Sequence, residues 1–439
     1  MSGWAATLAS DRRPAVIDAA LSVAVRLSDA ERVRAAFLAA AEQTRLPATI
    51  RWSPCDVAQG DAGLALMCAY VDRCFPDAGW DVVGHTYLTS AAHAAEARVP
   101  PPGLLSGLSG LGLVALLLAR DGSRYQRLAA TIDAALAPQA LRLARATRAR
   151  TRGLSASQFD LVSGLAGIGA YLLARREHPT SADALEGVLT ALVELVGDRD
   201  DMVPPWFTPP ELQADKTAAR SYPHGSLNCG LAHGIPGPLA LMALALSHGV
   251  AVDGLREAAQ AAAAWILAHR SDDEWGINWP TMVRLPESQA QRDPPSRAAW
   301  CYGSPGVARA LWLAGTALAD SALTELAIEA MEAVYRRPVP ARHIDSPTFC
   351  HGVAGLLHVT LRFAHDTGLP VFAQAAADLT DQLMAAYDPG SRLGFCSVEP
   401  GGNRVDQAGL LDGAPGVALV LLAAATDVEP TWDRLFLLA

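Results

Sequence analysis

Several features that would assign this chain to a broad class are missing from its sequence. Its apolar runs, such as residues 239–246, are much shorter than the ~20 residues that a helix needs to cross a bilayer. The N-terminus has no basic start followed by an apolar core, so no secretory signal is predicted. We therefore expect a cytoplasmic protein that does not span a membrane.

Basic residues are also in short supply, with 35 Lys and Arg against 45 Asp and Glu and a formal net charge of −10. Nucleic acids and anionic membrane surfaces bind basic patches, so neither is predicted as a partner, whereas a cationic peptide is better suited. The seven cysteines are odd in number and scattered. This pattern predicts reduced thiols rather than a disulfide framework, which leaves thiols available for a metal.

Glycine, in contrast, recurs in a regular pattern. Seven Gly-x-x-Gly turns occupy residues 60–63, 107–110, 164–167, 234–237, 303–306, 352–355 and 413–416. Each runs into an apolar stretch, and the interval between turns suits a helical hairpin with its loops. Units that repeat on this scale stack to share a core, and seven is a number that suits ring closure. The sequence predicts one all-α domain over residues 1–439.

Two segments interrupt the helical pattern. Residues 201–222 and 271–296 are rich in proline and tryptophan and flank the fourth turn. They are interpreted either as surface loops or as loops that contact a peptide substrate, since long loops on a rigid scaffold often carry function. The second segment is also a candidate for short strands.

The residues best suited to chemistry stand just ahead of four turns. Cys301 and Cys350 lie two positions before the first glycine of their turns, His233 and His351 lie one position before, and Asp160 lies four before. If the repeats form a closed ring, these positions meet at one end of it. Two cysteines and a histidine suit zinc. The alternative is that the cysteines are simply buried in a helical core.

Each of the other residues has a structural alternative. His233 could be satisfied by backbone groups, and Asp160 could cap a helix or pair with an arginine. For Ser106, Ser163 and Asp412, each one position before a first glycine, helix capping is the better explanation.

Three motifs carry a family resemblance: Asn-Cys-Gly-Leu-Ala-His-Gly-Ile-Pro-Gly at 228–237, Trp-Cys-Tyr-Gly-Ser-Pro-Gly at 300–306 and Cys-His-Gly-Val-Ala-Gly at 350–355. In this order they closely resemble the motifs of the lanthionine synthetase C-like family, which includes the lantibiotic cyclases. The resemblance covers essentially the whole chain, because the seven turns match the family's seven-fold α/α toroid. It implies that fold, with a small inserted irregular or β segment.

The resemblance also implies a reaction and a site. A zinc ion (Zn²⁺) would take the cysteine thiol of a dehydrated precursor peptide, and the thiolate would add to dehydroalanine or dehydrobutyrine to close a lanthionine or methyllanthionine ring. By the same resemblance the metal ligands are Cys301, Cys350 and His351, and the catalytic residues are His233, Asp160 and Arg297.

The implied partners are a separate dehydratase, since the chain has no room for the dehydratase region of fused synthetases, and an export transporter. Two other functions stay open, a non-catalytic peptide-binding scaffold and the addition of a glutathione-like thiol to another electrophile. Cys229 departs from the family pattern and is interpreted as inert packing or as an additional thiol. His224 and His358 are interpreted as structural.

Overall fold

The computed structural model describes residues 3–120, 122–150, 152–197, 203–285 and 296–439. Within these ranges no helix is both long and apolar enough to cross a membrane. The α-helices are α1 (Arg13–Leu27), α2 (Ala30–Gln43), α3 (Asp61–Cys74), α4 (Trp80–Ala97), α5 (Leu108–Leu118), α6 (Gln126–Arg148), α7 (Leu165–Ala174), α8 (Pro179–Val196), α9 (Lys216–Ser221), α10 (Pro236–Ser247), α11 (Leu255–Ala268), α12 (Ser304–Leu318), α13 (Ser321–Arg336), α14 (Val353–Thr367), α15 (Pro370–Ala386) and α16 (Ala414–Ala425). The strands are β1 (Ser226–Asn228), β2 (Ser271–Asp273), β3 (Gly276–Asn278), β4 (Met282–Arg284), β5 (Ser397–Val398) and β6 (Arg404–Val405).

Every predicted glycine turn begins a helix. The seven helices that follow the turns are α3, α5, α7, α10, α12, α14 and α16. Their first turns are buried, and α16 is buried along its whole length. A helix that is apolar all round belongs in the interior of a large fold, as these do. The prediction of a loop that tightens into a buried helix is therefore confirmed at all seven turns.

The second glycine of a turn allows a close approach between backbones. A Cβ atom on Gly63, Gly167, Gly306 or Gly416 would lie between 1.9 and 2.3 Å from the carbonyl oxygen of the residue six positions earlier. The loop thus folds back over the first turn of its own helix. No side chain fits there, so the structure explains why glycine recurs at this position.

The same loops supply the helix caps. The carbonyl oxygen of Gln407 accepts a hydrogen bond from the backbone N–H of Ala414, and Ser346 does the same for Val353. These bonds satisfy N–H groups that a capping side chain would otherwise serve. Glycine occupies the cap positions of α5, α7 and α16 without any side-chain cap. The predicted capping by Ser106, Ser163 and Asp412 is therefore wrong.

The chain forms two compact units, and the first comprises Met1–Pro100, Ser106–Ala129 and Val339–Asp433. In this unit α14, α16, α3 and α5 pack side by side in that order. Helices α15, α1 and α4 pack against α14, α16 and α3 respectively. The partner of the last turn's helix is thus the first helix of the chain, so this packing joins the two ends of the sequence.

The second unit comprises Pro101–Leu105, Ala130–Pro338 and Arg434–Ala439. Here α7, α10 and α12 pack side by side, with α8, α11 and α13 against them. The predicted short strands exist: β2 and β3 form a hairpin, and β4 pairs antiparallel with β1. Parts of both irregular segments, residues 201–202 and 286–295, lie outside the described residues. A role of these segments in substrate contact stays a prediction.

Adjacent loops are joined by backbone hydrogen bonds within each unit. In the second unit Leu161 N donates to the carbonyl oxygen of Ala232 at 3.2 Å, and Ala232 N donates to that of Cys301 at 3.3 Å. In the first unit Cys350 N donates to the carbonyl oxygen of Leu411 at 3.0 Å. The second and third bonds each join residues two positions before their first glycine, as the alignment predicts. The first joins Leu161, three positions before the first glycine of its turn, to Ala232, two positions before the first glycine of the next turn.

Candidate active site

A histidine and a buried carboxylate form the best-defined part of the site. Asp160 is 2% exposed through its side chain, and its Oδ1 accepts hydrogen bonds from the backbone N–H groups of Ser163 at 2.8 Å and Gly164 at 2.9 Å. Its Oδ2 lies 2.7 Å from Nδ1 of His233. These bonds go to the turn before α7, which begins at Leu165, and the carboxylate also reaches the histidine.

The pairing sets the state of the histidine ring. A carboxylate can only accept a hydrogen bond, so Nδ1 of His233 donates to Asp160, and Nε2 of the neutral ring is left as the acceptor. The His233 side chain is 40% exposed, so a substrate can reach it. This arrangement can receive a proton at Nε2 and stabilise the resulting imidazolium through the buried carboxylate.

Tyr302 stands beside this pair. Its ring centroid lies 6.3 Å from that of His233, and its hydroxyl oxygen accepts a hydrogen bond from Nδ2 of Asn228 at 3.1 Å. Oδ1 of Asn228 accepts from the N–H of Gly230 at 2.9 Å. A Cβ on Gly230 would lie 2.4 Å from the tyrosine ring. The sequence reasoning gave Asn228 no role, although it opens the motif at 228–237.

In the same unit Cys301 is buried at the end of the loop that precedes α12. Its carbonyl oxygen is tied to the loop of His233 by the bond from Ala232. Trp300, immediately before it, is fully buried, donates from Nε1 to the carbonyl oxygen of Phe436 at 3.2 Å and packs edge-on against its ring. The backbone around this thiol is therefore fixed on both sides.

In the first unit Cys350 and His351 precede α14. The backbone bond from Cys350 to Leu411 places their next residues, His351 and Asp412, side by side. Nδ1 of His351 lies 3.6 Å from Oδ1 of Asp412. Burial raises the pKa of the Asp412 carboxyl, and the charge of His351 acts in the opposite direction.

Cys301, Cys350 and His351 are a group that could hold a metal ion, and among the described residues it is the one such group of His, Cys and acidic side chains found. Asp412 and Cys229 are not members of it. Two thiols and one imidazole are the soft donors that zinc prefers, and three protein ligands leave one tetrahedral position for a substrate. The residues present therefore fit a zinc ion of the catalytic type.

Three further candidate residues, Arg297, Cys229 and His358, lie outside the metal-binding group. Arg297 is exposed, and its side chain makes no hydrogen bond or ion pair with any residue that the structure describes. Cys229 is buried, which agrees with inert packing. His358 is fully buried against Asp433, with Nε2 2.8 Å from its Oδ2, so its structural interpretation holds.

Comparison with known proteins adds independent findings. The model of the family described as lanthionine synthetase C-like protein matches residues 51–437. Nisin biosynthesis protein NisC from Lactococcus lactis subsp. lactis is 23% identical over 342 residues, which cover 76% of this chain and 77% of that protein. A solved structure titled "Nisin cyclase" has a TM-score of 0.75 and 22% identity, and the match covers 88% of this chain and 92% of that chain.

The structural match confirms the predicted all-α fold, because the nisin cyclase structure has the helical toroid fold. The family match reaches from the first glycine turn to the C-terminal segment and includes the three motifs and every residue of the metal-binding group. This protein belongs to the lanthionine synthetase C-like family.

Proposed function

We propose that this protein is a zinc-dependent peptide cyclase that forms lanthionine or methyllanthionine rings in a dehydrated precursor peptide. Family membership and the similarity to nisin cyclase support this activity. The observation that carries the proposal is a Cys301, Cys350 and His351 group suited to zinc in a chain that also holds His233 against a buried carboxylate. A scaffold that only binds peptides does not need a histidine held against a buried carboxylate.

The proposed reaction balances without an oxidant or reductant. The substrate cysteine loses its thiol proton, its sulfur forms a bond to the β-carbon of the dehydro residue, and the electron pair of the double bond moves to give an enolate. The α-carbon then takes up a proton. When bound by the three ligands, zinc supplies a Lewis acid that lowers the pKa of the substrate thiol.

The chain's own residues would handle the proton. Nε2 of His233 accepts it, because Nδ1 is committed to Asp160, and the buried carboxylate then stabilises the imidazolium. The same nitrogen can return the proton to the α-carbon. The exposed guanidinium of Arg297 is free to contact the negative charge of the enolate or of the peptide.

The proposal includes its partners. The substrate is a peptide that already carries dehydroalanine or dehydrobutyrine, so a separate dehydratase must act first. We place the reaction in the cytoplasm and include an export transporter for the finished peptide.

The test compares Cys350→Ala with Cys229→Ala. Zinc content is measured by elemental analysis, and cyclisation is followed by thiol alkylation and mass spectrometry, since ring closure removes a free thiol without changing the peptide's mass. Wild type and Cys229→Ala should hold about one zinc per chain and close rings, because Cys229 lies outside the group.

The Cys350→Ala variant should lose zinc and cyclisation together. Full zinc content in this variant would contradict the ligand assignment. Wild type that holds zinc but leaves every thiol of a dehydrated peptide free would favour the scaffold instead.

A further inference from the structure

The Asp412 carboxylate is a feature that the proposed reaction does not use. It follows directly after the loop residue that bonds to Cys350, and it does not cap α16. Its Oδ1 is buried and has no hydrogen-bond partner among the described residues. A buried carboxylate oxygen without a partner is costly to keep in a folded protein, so its position calls for an explanation.

The imidazole of His351 lies close to this oxygen. The 3.6 Å between Oδ1 and Nδ1 is an ion-pair distance, slightly beyond a hydrogen bond. The negative charge favours a proton on Nδ1 of the neutral ring. It thereby leaves Nε2, the nitrogen on the far side of the ring, as the lone pair available to a metal.

We propose that Asp412 is a positioning residue of the metal centre, which fixes the tautomer and direction of His351 and so raises the protein's affinity for zinc. Histidines that bind metals commonly direct their second nitrogen to a carboxylate, and removal of that carboxylate typically weakens metal binding by about 10- to 100-fold. Asp412 is itself outside the ligand group, which agrees with an outer role. The inference rests on the zinc site of the proposed function.

Backbone geometry makes this role specific to position 412. The bond from Cys350 N to the Leu411 carbonyl oxygen joins the two loops one residue before the pair, and Leu411 N is bonded in turn to the carbonyl oxygen of Ala58. The side chains of His351 and Asp412 therefore extend from equivalent positions of two loops whose backbones are held by hydrogen bonds. These bonds hold the two backbones in place, so the carboxylate and the ring start from adjacent positions.

The experiment measures the dissociation constant for Zn²⁺ itself, by competition with a chromophoric chelator, in wild type, Asp412→Asn and Asp412→Ala. We expect zinc affinity to fall by about 10-fold in the first variant, which keeps an oxygen, and by up to about 100-fold in the second. Co²⁺ loaded in place of zinc should show a changed visible absorption spectrum in both. The matched control is Asp160→Asn, the same substitution in a carboxylate–histidine pair without a metal ligand, which should bind zinc as wild type does.

The outcomes separate the two proposals. Unchanged zinc affinity and an unchanged Co²⁺ spectrum in folded Asp412→Asn would overturn the role of Asp412 and leave the proposed function intact. Wild type that binds no zinc would overturn both. Melting temperatures of the metal-free proteins show whether a variant is folded. If Asp412→Ala is not folded, Asp412→Asn decides, because the two side chains have nearly the same shape.

Discussion

Asp160 and Asp412 each face the Nδ1 atom of a histidine, but the two carboxylates differ in how completely they are satisfied. Asp160 accepts two backbone N–H bonds and lies at hydrogen-bond distance from His233. Asp412 has a buried oxygen that no described residue bonds to, and Nδ1 of its histidine is 3.6 Å away. The protein's own groups thus saturate the first carboxylate more completely than the second.

This difference suggests that the two carboxylate–histidine pairs have different functions. A histidine held by a saturated carboxylate has a fixed tautomer before any substrate arrives, which is what general acid–base catalysis needs. A histidine beside an incompletely satisfied carboxylate, next to two thiols of a group that could hold a metal, is suited to bind that metal through its other nitrogen. Asp433 provides a third case. It is buried with His358 and Arg362 and bonds to both, and we expect these contacts to stabilise the fold.

Substitution of His233 gives the largest expected effect. His233→Ala should lower the cyclisation rate by about 10²- to 10⁴-fold while zinc content stays at the wild-type level, because we propose that this residue handles protons and it lies outside the metal-binding group. The measurement is single-turnover ring closure alongside elemental analysis. His248→Ala is the control, since Nδ1 of that ring lies 2.9 Å from the carbonyl oxygen of Leu244 and the residue is outside the metal-binding group. Loss of zinc in His233→Ala would contradict the distinction between a proton-transfer role for the Asp160–His233 pair and a metal-binding role for the Asp412–His351 pair.

Substitution of Asp433 tests the contribution of its buried ion pair with Arg362 to stability. Burial alone would raise the pKa of its carboxyl, but the charge of Arg362 and the hydrogen bond to His358 outweigh burial and lower it. Asp433→Asn should therefore reduce the free energy of unfolding by about 3 kcal/mol at neutral pH, since it breaks a buried ion pair. Zinc affinity of the folded protein should not change.

The effect of Asp433→Asn has a predictable pH dependence. A carboxyl whose pKa is lowered by folding contributes stability that is fully present above its unfolded value, about 4, and that is lost as pH falls further. The difference in melting temperature between wild type and Asp433→Asn should thus be largest at neutral pH and shrink below about pH 4. A constant difference over this range would show that the charge of Asp433 is not what stabilises the fold.

Asp160→Asn should have a smaller effect on catalysis than loss of the histidine. The amide can keep the backbone bonds with its oxygen and would then present an N–H group to Nδ1 of His233, which favours the wrong tautomer. We expect cyclisation to slow by about 10²-fold, the lower end of the range for general acid–base catalysis. An Asp160→Asn variant with full activity would mean that the tautomer of His233 does not matter.

The repeat gives a common reference for the candidate site. Alignment on the first glycine puts Cys301 and Cys350 two positions before their turns and His351 one position before, and these three residues form a group that could hold a metal. It failed at Asp412, which was interpreted as a helix cap. The reason is physical, since backbone carbonyls of the preceding loop already cap these helices, and that cannot be read from side-chain identities. A single domain over residues 1–439 stays a prediction.

The helical class, the seven turns and the family can be read from the amino-acid sequence, because glycine spacing and apolar periodicity are local properties of the chain. Which carboxylate meets which histidine depends on the folded chain. Asp160 and His233 are 73 residues apart, and Asp412 and His351 meet because hydrogen bonds join successive loops. Whether a buried carboxylate is saturated or left with a free oxygen depends on N–H groups brought in by the surrounding backbone, and folding alone arranges those.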